Sequence, residues 1–127
     1  MQLKKWHLAL LALLAGSLLA LSWPSRGFPG FLFVAWVPLF FMEQYFLDCK
    51  DKNSSWSLFG WAFLAFLIWN TLTTWWIWNS TKIGSIAAVL LNSFFMAVVF
   101  DLYHITRRKL WQGQQFGWLI LFYWPAW

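Results

Sequence analysis

Charged side chains are scarce in this sequence: 10% of its 127 residues, against roughly 25% in soluble globular domains. A single cysteine, Cys49, excludes an internal disulfide and every multi-cysteine metal motif. It lies in the polar stretch DCKDKN, where its plain reading is a free thiol. There is no GxSxG, no P-loop and no HExxH, and Glu43 has no second carboxylate near it. No catalytic residue, metal site or cofactor site is therefore expected in these residues. The net charge of +5 comes from nine Lys and Arg set in short clusters between apolar runs. Without a basic face or stripe, nucleic acid is not an expected partner.

What fills the chain instead is oil. It is 61% hydrophobic and 24% aromatic, with 13 tryptophans, and its mean hydropathy is +0.59. A bilayer core of about 30 Å takes about 20 helical residues to cross. Four runs approach that length, at about 6–23, 28–46, 56–78 and 85–105. The fold class expected is all-α, a polytopic helical membrane segment. A fifth run occupies 116–127. Its 12 residues rise only about 18 Å, so the expectation is a fragment: one N-terminal transmembrane domain, 1–127, holding four helices and the start of a fifth. MQLKK followed by a leucine-alanine stretch also resembles a signal peptide, with Ala15-Gly16-Ser17 as a weak cleavage site. The tight turn SWPSRGFPG and the apolar run straight after it favour a retained helical hairpin.

Lys4, Lys5, Lys50, Lys52, Arg107, Arg108 and Lys109 fall on one side of these spans, and Arg26 and Lys82 on the other. The positive-inside rule then places the N-terminus in the cytoplasm. That puts the stretch LTTWWIWNSTKIG at the outer interface, where the amphipathic rings of Trp75, Trp76 and Trp78 suit the headgroup boundary. Taken as the end of an α-helix, three rings so placed cover about 300° at 100° per residue, so at least one should face protein or a cavity. Two roles stay open for them: an interfacial belt, or, with Asn79, the border of a mouth through which lipid enters.

Polar groups inside the spans are the other informative positions, because hydrocarbon offers them no partner. Asn70, Thr73 and Thr74 share one face of the third run, and Asn92 lies at the same depth in the fourth. They are expected to join helix to helix, or to line a path for lipid. Asp101 and His104, with Arg107 and Arg108 beyond, read as an interfacial ion cluster or, alternatively, a proton relay. Pro38 should remove one backbone hydrogen bond from the second run and kink it.

The runs SWPSRGFPGFLFVAWVPLF and FGWAFLAFLIWNTLTTWWIWNSTKIGSIAAVLLNSFFMAVVFDLYHITRRKL resemble the N-terminal membrane part of bacterial apolipoprotein N-acyltransferases, in the form found in the Bacteroides group. The turn Trp23-Pro24-Ser25-Arg26-Gly27-Phe28-Pro29 departs from the commoner Pro-Pro-Phe-Gly form, so the resemblance gives Arg26 no role. It implies an inner-membrane enzyme of eight helices, with a nitrilase-like domain on the periplasmic side. That domain would carry a nucleophilic cysteine, a glutamate base and a lysine for the oxyanion. An acyl chain would pass from a phospholipid to the cysteine, then to the N-terminal diacylglyceryl-cysteine of a lipoprotein. None of the three has a counterpart here, and Cys49 does not match the nucleophile. The implied partners are phospholipid, lipoprotein and the bilayer, and the chain alone should be inactive. The competing expectation is a small non-enzymatic membrane protein or transporter-like subunit.

Overall fold

The computed structural model describes residues 4–23, 27–49 and 54–110. Those residues form α1 (Lys5–Leu21), α2 (Phe31–Asp48), α3 (Ser54–Thr73), a 3₁₀ turn (Trp75–Asn79) and α4 (Lys82–Leu110). Among the described residues there is no strand. Three helices, α2, α3 and α4, are long and apolar enough to cross a membrane. With its 17 residues, α1 is equally apolar but shorter, rising about 26 Å. The run 116–127 lies outside the described residues.

Packing follows residue size. On α1, Leu8, Ala12, Ala15 and Leu19 form one buried stripe, and Leu58, Ala62, Ala65 and Phe66 form its counterpart on α3. Small residues at the crossing let two backbones approach closely. Gly16 marks the closest point: a Cβ there would lie 2.7 Å from the Ala65 carbonyl oxygen and 2.9 Å from Ile68 Cβ. At Gly27, in the turn before α2, a Cβ would run into the Leu21 carbonyl. Bulk returns between α2, α3 and α4, where rings fill the space. Trp36 and Phe66 lie 6.2 Å apart, Phe66 and Phe100 6.3 Å, and Phe40 and Tyr103 6.1 Å, separations typical of favourable aromatic pairs.

The outward faces are apolar as well. Trp6, Phe33, Phe41, Leu91 and Phe95 are all more exposed than buried. A helix that is apolar all round belongs in lipid or in the core of a larger body. Pro38 sits inside α2, which continues to Asp48; its missing N–H leaves the Val34 carbonyl without its usual helical donor.

Candidate functional site

Three threonines shape the end of α3. Their β-branched side chains fit helices poorly, and their hydroxyls compete for helix carbonyls. Thr71 Oγ1 donates to the Leu67 carbonyl at 2.7 Å and Thr73 Oγ1 to that of Trp69 at 2.9 Å. Thr74 Oγ1 donates to the Asn70 carbonyl, which also accepts the Thr74 amide at 2.9 Å. The α-helix stops at Thr73 and the chain tightens into the 3₁₀ turn.

That change of helix type revises the geometry expected of the tryptophans. The third run was expected to continue as one helix to Trp78; instead the three rings lie on a separate turn of 3.0 residues per revolution. Residues three apart then eclipse, so Trp75 and Trp78 share a face and Trp76 lies on another. None is buried: Trp75 is 63% exposed, Trp76 59% and Trp78 50%. Trp75 and Trp78, with Asn79, Thr71 and Thr74, form one wall of an open groove of about 440 Å³. Ser85, Ile86, Val89 and Leu90 of α4 form the other. Trp76 is not among its lining residues. The Thr74 and Ser85 hydroxyls are spent on helix carbonyls, the latter on Lys82 at 2.8 Å. What remains is an apolar trough with Asn79 at its rim, a shape suited to an aliphatic chain with a polar head.

Below the groove, a polar knot ties α3 to α4. Asn70 is 3% exposed. Its Oδ1 accepts a hydrogen bond from Asn92 Nδ2 at 2.6 Å, and its Nδ2 lies 2.9 Å from the Phe66 carbonyl and 3.1 Å from Ser93 Oγ. The knot thus unites Asn70 with Asn92 and Ser93, whereas the hydroxyls of Thr73 and Thr74 turn back onto their own helix. Ser93, fully buried, lies beside Asn92 and one turn before Ala97 on the inward face.

A second cluster occupies the opposite end of the bundle. His104 and Asp101, read together in sequence, point to different helices. Three residues turn a helix by 300°, leaving them 60° apart, enough to divide them between neighbours. Asp101 accepts a hydrogen bond from Ser55 Oγ of α3 at 2.6 Å. His104 Nδ1 lies 3.2 Å from Glu43 Oε1 of α2, and Arg107 pairs with the other oxygen of that carboxylate. Arg107 Nη2 also donates to Gln44 Oε1 at 2.9 Å. Glu43 and His104 are wholly buried. Glu43 was the residue that spacing rules missed. Its signal was its solitude: an acid inside an apolar run needs a cation from elsewhere, and Arg107 stands 64 positions away. Among the described residues no group of His, Cys, Asp and Glu could hold a metal ion.

Comparison with curated proteins and with solved structures finds no match to this chain. The family model of the apolipoprotein N-acyltransferase N-terminal domain, by contrast, matches residues 15–127, from the middle of α1 onward and through both clusters. The chain belongs to the apolipoprotein N-acyltransferase N-terminal domain family.

Proposed function

We propose that this chain is the membrane part of an apolipoprotein N-acyltransferase, and that its groove at the end of α3 admits lipid to the catalytic domain. The observation that carries the reading is the family match over 15–127, joined to a groove whose walls are apolar and whose rim holds Asn79. The reaction takes an acyl chain from a phospholipid and delivers it to the α-amine of a lipoprotein's N-terminal diacylglyceryl-cysteine. Nucleophile, base and oxyanion lysine reside in a nitrilase-like domain that these residues do not include. The membrane part anchors that domain in the bacterial inner membrane, with the N-terminus in the cytoplasm, and holds the aliphatic donor at the outer boundary. Trp75 and Trp78 flank the donor's path, and Trp76 anchors the turn in the headgroup region.

Single alanine substitutions in the full-length enzyme test this, read as the conversion of diacylated to triacylated lipoprotein by mass spectrometry. Trp75→Ala and Trp78→Ala should slow conversion while the protein stays in the membrane, and Trp76→Ala should leave it nearly unchanged. Equal rates in all three variants would rule out the entry groove. Full-length protein that never adds the third acyl chain would remove the acyltransferase reading altogether.

A further inference from the structure

A second groove, of about 470 Å³, lies between the same two helices at the Arg107 end. Ser55, Trp56 and Phe59 of α3 face Phe94, Val98 and Asp101 of α4 across it. Phe59 and Phe94, both among its lining residues, meet edge to face at 5.8 Å. From Phe94 to Asp101 the α4 wall rises about 10 Å, the length of a short stretch of acyl chain. Everything on that wall is apolar until Asp101.

Asp101 is half-buried, and Oδ1 takes the Ser55 hydroxyl at 2.6 Å. Among the described residues it has no other polar partner and no cation: Arg107, the nearest in sequence, is held by Glu43 and Gln44. A hydroxyl does not neutralise a carboxylate, so at the mouth of this apolar groove the acid has no countercharge, and its second oxygen no partner, among the described residues. Beside it the Trp56 ring is 79% exposed, and the face of an indole attracts a cation. Ser55 and Trp56 belong to the first turn of α3, so this mouth sits where the helix leaves the hydrocarbon.

We infer that this groove is a lipid site selective for a primary ammonium headgroup, whose N–H donors reach Asp101 Oδ2 while one acyl chain lies between α3 and α4. Three donors suit a carboxylate oxygen; an anionic headgroup is repelled by Asp101, and a quaternary one has no N–H to give. The site is separate from the entry groove, which lies at the other end of both helices, and it does not depend on acyl transfer.

The test uses the full-length protein in nanodiscs of equal parts phosphatidylethanolamine and phosphatidylglycerol. Trace probes carry a diazirine on one acyl chain and either an ethanolamine, a choline or a glycerol headgroup. Peptides spanning 55–59 and 94–105 should be labelled by the ethanolamine probe in roughly fivefold excess over the other two, the scale of one partly exposed ion pair. Asp101→Asn should bring the three probes to parity, Ser55→Ala should keep the excess, and Trp78→Ala should not alter it. Should Asp101→Asn fail to accumulate, competition on the native protein decides, with unlabelled phosphatidylethanolamine displacing the probe and phosphatidylglycerol not. Equal labelling by all headgroups, an unchanged preference in Asp101→Asn, or absence of label because another part of the chain covers the groove would each overturn the inference.

Discussion

A carboxylate buried where Glu43 is buried is tolerable only while its countercharge is present. Glu43 holds both His104 and Arg107, and α2 otherwise touches α4 lightly, chiefly through Phe40 against Phe100 and Tyr103. Removing the cation strands the acid, which typically costs about 3–5 kcal/mol, whereas removing both charges is often close to neutral. Arg107→Leu should therefore destabilise the protein by that amount. Glu43→Gln alone should be milder, because its amide oxygen still faces His104 Nδ1. The double variant should recover more than half of the loss. Unfolding in mixed micelles measures all three, and a double variant no better than Arg107→Leu would show that the charge pair is not what holds these helices. A similar cycle on Asn70→Leu and Asn92→Leu should return a coupling of about 0.6 kcal/mol and no more than about 1.7 kcal/mol, the average and the maximum typical of interhelical hydrogen bonds in membranes.

At the scale of the element, helix identity was legible and helix ends were not. Long apolar runs without amphipathic alternation announce spans directly, and each of the four expected runs within the described residues has a helix over most of its length. Boundaries depend on local competition that hydropathy does not register. Thr71, Thr73 and Thr74 end α3 through side-chain bonds to carbonyls four residues back, so the tryptophans fall on a 3₁₀ turn. The pairing of Trp75 with Trp78 follows from that turn alone. Nor could pattern show that α1 and α3 cross at Gly16, because the stripe of small residues fits several partners. Gly16→Ala should cost about 1–3 kcal/mol, as overpacking does, since its Cβ meets the backbone of Ala65. Gly60, in the middle of α3, has nothing within 4 Å of an added Cβ. Gly60→Ala should be neutral or stabilise by up to about 1 kcal/mol, the gain in helix propensity. Thermal unfolding of the two variants side by side checks the contrast, and equal melting shifts would mean the α1–α3 crossing is not close-packed.

For the whole molecule, the two ends of the bundle differ in chemistry, and that difference should fix which way the chain sits. One end collects Lys5, the Glu43–His104–Arg107 cluster and the exposed Arg108 and Lys109. The other carries Trp75, Trp76 and Trp78, the groove that Trp75 and Trp78 line and, among the described residues, one cation, Lys82. Under the orientation proposed above, the bias of seven Lys and Arg against two would retain its loops in the cytoplasm and put the groove on the periplasmic side, where a lipoprotein's N-terminus would be presented. Reporters fused after Ser55 and Gln112 should therefore read as cytoplasmic and one after Thr81 as periplasmic. The bias also predicts how to weaken that arrangement. Replacing Arg108 and Lys109 by glutamine while adding two lysines beside Lys82 should produce a mixed population at Thr81, because it removes charge from one end and supplies it to the other. Neither substitution touches Glu43's partners, so a shift in topology would not be confused with loss of the buried ion pair. A periplasmic signal at Gln112 in the unaltered chain would mean that one of the four helices does not cross. The helix to suspect would then be α1, the shortest at 17 residues. Lengthening it by three leucines should restore the cytoplasmic reading if its length is the cause.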